Sequence, residues 1–131
     1  SVSLTLLEAM IQCESENVPL LVTFYDAPVA DVLQPILANR ESFAFSLVIF
    51  PASADIEGTV IRANVTHGKS AQWPALQNNN DYVNTLYADN PSAKILSLMP
   101  LLDPQTAPEN GVTMPLSEGA SITFQRSQVR A

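Results

Sequence analysis

Eight residues, Phe43-Ala-Phe-Ser-Leu-Val-Ile-Phe50, set the first limit on how this chain can fold. Phe43, Phe45, Leu47 and Ile49 fall on one face of an extended segment, and Val48 and Phe50 make the other face partly apolar. A strand apolar on both faces is expected to be central and covered on both sides. Pro51 ends it, since a proline cannot donate to a ladder. After a link at Ala52–Asp55, Thr59–Thr66 alternates, with Ile61, Ala63 and Val65 inward and Arg62, Asn64 and Thr66 outward. The spacing predicts an antiparallel hairpin of these two strands, joined by a loop longer than a tight turn.

Other elements follow from their periodicities. Ser3–Glu16 reads as a helix, with Leu4, Leu7 and Ile11 on one stripe, Leu6, Met10 and Cys13 beside it, and Thr5 and Glu8 at capping-box spacing. Leu20–Tyr25 is a short strand. Pro28–Asn39 carries Val29, Val32, Leu33, Ile36 and Leu37 at the spacing of a helix docked on a core, with Pro35 as a kink or break. On that docking, an aspartate at Leu33 should unfold the domain. Asp81–Ala88 is a short helix or a turn, Lys94–Leu102 is apolar and ambiguous, and Pro104–Pro115 is a loop with a turn at Asn110-Gly111. Ile122–Val129 is a last strand, solvated at its basic end. The expected fold is β-rich α+β: an antiparallel β-sandwich or small barrel with one or two flanking helices, in a single domain spanning residues 1–131.

Composition narrows the chemistry. The 131 residues carry a net charge of −7, and charged residues make up only 15%. Charge this sparse suits a surface that meets neighbouring subunits, because charges are depleted in interface cores. Residues 1–60 hold eight acids and one base, Arg40, whereas residues 61–131 hold five of each. No basic stripe exists to neutralise phosphates, so direct nucleic-acid binding is not expected. Cys13 is the only cysteine and His67 the only histidine, which leaves no disulfide, thiolate–zinc cluster or imidazole pair. No apolar run reaches the length of a membrane span, and no basic segment precedes an apolar one as in a signal peptide. Ser1 fits removal of an initiator methionine, and a cleaved leader would look the same.

The motifs are few. Ala63 to Ser70, with Gly68-Lys69-Ser70, meets a relaxed phosphate-loop pattern, but such a loop must run into a helix and Trp73-Pro74 forbids an uninterrupted one. A strand end is the expected reading, with His67 a polar residue on it. Asp55 with Glu57 and Glu14 with Glu16 are carboxylate pairs that nothing places in a pocket, and Asn64-Val65-Thr66 is a glycosylation triplet. No catalytic, cofactor or metal residue is therefore assigned, and no enzyme activity is expected. Trp73, Tyr82 and Tyr87 are candidate interface or core anchors. Arg126 and Arg130 are candidate basic contacts for the acidic half of a neighbouring copy.

One long segment has a familiar order. Residues 29–70, VADVLQPILANRESFAFSLVIFPASADIEGTVIRANVTHGKS, run helix, strand, link, strand and Gly-Lys-Ser. This succession resembles the helix and long hairpin of phage tail-tube proteins and the related tail-terminator and secretion-tube subunits. The resemblance implies a non-enzymatic virion subunit that forms rings with copies of itself and other structural subunits, with no cofactor and no membrane. Val22–Ala38, VTFYDAPVADVLQPILA, is similar to the strand–helix start of periplasmic ring domains of secretins and outer-membrane receptors. That likeness implies a periplasmic or secreted binding module instead.

Overall fold

The structure, a computed structural model, describes residues 1–28, 30–33, 41–76 and 78–127. Helix α1 (Val2–Glu16) is followed by strands β1 (Leu20–Asp26), β2 (Phe43–Ile49) and β3 (Val60–His67), helix α2 (Asp81–Asp89), a 3-10 helix at Ser92–Leu102, and strands β4 (Val112–Ser117) and β5 (Ala120–Ser127). Among the described residues all strand pairs are antiparallel and form two sheets, β1–β2 and β3–β5–β4. The class is α+β. Among the described residues no strand pair joins the two sheets, so the fold is not a closed barrel.

The pairing differs from the hairpin expected for residues 43–66. β2 pairs with β1 (Leu20↔Ile49 through Asp26↔Phe43), and β3 pairs with β5 (Val60↔Ser127 through His67↔Ala120). β2 is not central either. Its residues alternate between half-buried and exposed, whereas Val22 and Phe24 of β1 are buried. The central strand of the larger sheet is β5, where Ile122 and Phe124 are fully buried between Val65 and Met114 and between Ala63 and Val112. That strand was expected to be solvated at its basic end, yet Arg126 is half-buried.

β4 was expected as loop because of Pro115. It is an edge strand, where a missing N–H costs little, and its register to β5 shifts between Pro115 and Ser117. Just before it, Gly111 has φ 78°, a left-handed conformation that starts the strand from the Asn110-Gly111 turn.

α1 opens on Ser1, whose side chain accepts the N–H of Leu4, not on the Thr5–Glu8 box. It closes on Asn17 at φ 55°, whose N–H returns to Cys13 O. Its buried face is Val2, Ser3, Leu6 and Cys13, with Leu7, Ala9 and Met10 alongside, while Leu4 and Ile11 are exposed. Ser3 Oγ donates to Pro115 O at 2.5 Å, which seats the helix on β4.

The ambiguous stretch at 94–102 is the 3-10 helix, and it contacts both sheets and both α-helices. Asp26 Oδ2 and Asn90 Oδ1 accept the Ser92 N–H at 2.7 and 3.0 Å, which anchors its start to the end of β1. Ile95 and Leu101 then enter the same core as Val2, Leu6, Val22, Phe24, Met114, Ile122 and Phe124. At about 25 cal/mol per Å² of apolar area removed from water, these residues supply the main stabilising term.

Of the helix expected at Pro28–Asn39, the structure describes a short 3-10 turn at Asp31–Leu33, with Val32 and Leu33 exposed. Leu33 is 43% exposed, so the expectation that an aspartate there would unfold the domain does not hold. Val29, Pro35, Ile36 and Leu37 lie outside the described residues.

Candidate interaction surface

The four candidate interface residues that the structure describes do not share one exposed surface. Trp73 is half-buried and packs against the core. Tyr87 is buried: its hydroxyl donates to Pro74 O at 2.6 Å, and the Lys94 ammonium lies 4.6 Å from its ring centroid. Lys94 also donates to the carbonyls of Tyr87 and Ala88, the end of α2, where a cation meets the negative pole of the helix. Burial lowers the Lys94 pKa, and Asp89 partly offsets this. Arg126 is an internal clamp, donating to Leu101 O at 2.9 Å and to Thr59 Oγ1 at 3.0 Å. Only Tyr82 is freely exposed, and Arg130 lies outside the described residues.

The remaining motifs sit on surface. His67 is exposed at the end of β3, and Gly68 N–H donates to Gly119 O at 2.7 Å. No helix follows Lys69-Ser70 in the described residues 71–76, as a phosphate loop would require. Asn64 and Thr66 are exposed on β3, and Asp55 and Glu57 on the link between β2 and β3. Glu14 accepts the N–H of Ala52 at 2.6 Å and Ser53 Oγ donates to Asn17 Oδ1 at 3.2 Å, so the end of α1 ties down this link. Among the described residues no cluster of three or more metal-ligating side chains occurs.

Two features stand out instead. The first is the outer face of the β1–β2 sheet. Leu21, Thr23 and Tyr25 lie opposite Val48, Ser46 and Ala44, and none of the six carries a charge. Leu21 is 69% exposed, Tyr25 71% and Val48 54%. Thr23 and Ser46 hydrogen-bond each other at 2.8 Å across the strands. A two-stranded sheet is marginal in water by itself. Here one face is stabilised by the core and the other is an apolar ribbon open to solvent.

The second feature is a groove of about 520 Å³ where the expected hairpin would have closed. β2, from Phe45 to Ile49, and β3, at Val60 and Ile61, form its sides. Leu6, Met10 and Cys13 of α1, with Ile95, Leu98 and Leu101 of the 3-10 helix, also line it. Cys13 is buried there, and burial, reinforced by the Glu14 carboxylate, lifts its thiol pKa above the ordinary value. Such a thiol is a poor nucleophile at neutral pH.

Neither feature was identified from the sequence. The sequence signal for the ribbon is that Leu21, Tyr25 and Val48 put large side chains at outward positions of the two strands, with the polar Thr23 and Ser46 between them. The groove depends on which strands pair, and residue pattern does not carry that information. Comparison with protein-family profiles, curated proteins and solved structures finds no match to this chain.

Proposed function

We propose that this protein is a non-enzymatic structural subunit that self-assembles, with a phage virion as the setting to test first. The uncharged outer face of β1–β2 carries this reading. Leu21 and Val48 side by side, with Tyr25 further along the same face, are large and exposed with no charge among them, and this supports reading the face as an interaction surface.

The size of the face argues for repeated weak contacts. Two seven-residue strands at about 3.3 Å per residue outline roughly 23 by 10 Å. A stable pairwise interface needs about 800 Å² per partner, several times that. A ring or tube, in which each subunit is held on two sides, gives a small face enough company. The tail-tube form of the proposal draws on the segment order of residues 29–70, although the long hairpin it implies is not formed.

Light scattering on the eluting protein, at rising concentration, tests the reading. Self-association is expected in wild type and its loss in a Leu21→Glu/Tyr25→Lys variant. Both positions are exposed, so the fold should persist. A wild type that stays monomeric at every concentration, or an equally associated variant, would overturn it.

A further inference from the structure

We propose that the groove between β2 and β3 binds an extended, apolar segment of another protein, flanked by basic residues, as an added strand. This does not rest on self-association, which is assigned to the outer face of β1–β2.

Backbone geometry is the first argument. β2 is paired only with β1 and β3 only with β5 among the described residues, and both line the groove. An unpaired strand edge presents backbone donors and acceptors to an incoming chain. The second argument is an unfinished core. Phe45, Leu47 and Ile49 face inward and pack against the core yet are only partly buried, whereas Phe24 and Val22, opposite Phe45 and Leu47 on β1, are buried. An alternating strand would bury its apolar side chains against these three and turn its polar ones to solvent.

Charge selects the partner. Among the described residues the only ionisable carboxylates lining the groove are Glu14 and Glu57, and no basic side chain lines it. Neither carboxylate has a Lys, Arg or His beside it among the described residues that line the groove. A carboxylate-bearing apolar ligand is thereby disfavoured, and a Lys or Arg at the end of an apolar segment is favoured.

The probe is a fluorescein-labelled octapeptide with lysine at each end and alternating valine and threonine between. Its six central residues match the length of Phe45–Phe50, and binding is read by anisotropy. Saturable binding is expected, about tenfold tighter than for the same peptide ended by glutamate, because reversing the end charges turns attraction to Glu14 and Glu57 into repulsion. N-methylation of alternate peptide amides should abolish binding. Ile56→Ser and Glu57→Lys, both at exposed positions on the groove wall, should weaken it while circular dichroism stays unchanged. The proposal is overturned by absence of saturable binding, by equal affinity for the two end charges, or by indifference to N-methylation or to both variants. It is equally overturned if a second copy of the chain fills the groove, seen as peptide binding that appears only on dilution. A monomeric wild type that binds the peptide would defeat the assembly reading and leave this one intact.

Discussion

Replacing Gly111 by alanine isolates one steric contact from the general cost of a left-handed backbone. Gly111 and Gly119 have nearly the same φ, 78° and 81°. A side chain forced into that region costs about 1 kcal/mol at either position. The surroundings differ. A Cβ on Gly119 meets nothing within 4 Å, whereas one on Gly111 runs into the carbonyl oxygen of Phe124 and comes within 2.5 Å of Gln125 Cγ. The Gln125 side chain can swing away, but the Phe124 carbonyl belongs to the central strand. Relief requires β4 to lift where Val112 pairs with Phe124, at about 1 kcal/mol per weakened hydrogen bond plus partial exposure of two buried side chains. The expected loss is about 3 kcal/mol for Gly111→Ala against about 1 kcal/mol for Gly119→Ala. Asparagine sharpens the comparison because it tolerates the left-handed region: Gly119→Asn should be nearly neutral and Gly111→Asn as damaging as alanine. Urea unfolding of the four variants provides the measurement, and thermal midpoints should move by roughly 3–6 °C per kcal/mol. If Gly111→Ala and Gly119→Ala lose the same stability, the close approach of Gly111 to β5 is not real and the reasoning fails.

Two further outcomes follow from burial and ionisation. Leu33→Asp should change the unfolding free energy from urea titration by no more than about 0.5 kcal/mol, because Leu33 is exposed; a loss of several kcal/mol would place that side chain in the core. Stability should decline from about pH 9 upward. Burial lifts Cys13 above 9.0 and Tyr87 above 10.0 in the folded state, so each contribution is complete below the unfolded value and is lost as pH rises through the folded one. Lys94, lowered by burial, acts in the opposite sense at the alkaline end. Urea midpoints measured from pH 8 to 11 should fall, and Cys13→Ala should remove the earlier part of the fall; a flat profile in wild type would contradict this account.

The sequence revealed elements far better than partners. α1, β1, β2, β3 and β5 begin and end within about two residues of where periodicity and prolines put them. The face of β3 was legible at Ile61 and Ala63, which are half-buried between the exposed Arg62 and Asn64, but Val65, expected inward, is exposed. Alternation is silent about which strand lies alongside. β2 and β3 are neighbours in sequence, yet β1 takes the first and β5 the second. β4 was hidden by Pro115, which an edge strand tolerates, and the 3-10 helix by Pro100 and a continuous apolar run. On α1 the apolar residues nearly encircle the helix, so the stripe from Val2 through Leu6 to Cys13 could be separated from Leu4 and Ile11 only by knowing what it packs on. The aromatic residues at 73 and 87 were recognised as anchors, but anchoring the core and anchoring an interface leave the same mark in a sequence.

The hydrogen bond from Ser3 to Pro115 spans 112 positions of the chain and has a consequence for biosynthesis. During translation, β1 and β2 can pair as soon as residue 49 has emerged, and α1 can wind earlier still. The helix nevertheless has nowhere permanent to rest, because the residues that cover Val2 and Leu6 belong largely to segments beyond residue 91. Until those segments leave the ribosome, the growing chain displays both the inner and outer apolar faces of its first sheet. The acids concentrated in residues 1–60 then act as a solubilising charge for an intermediate whose electrically balanced second half is not yet made, keeping nascent copies apart when premature association would be most damaging.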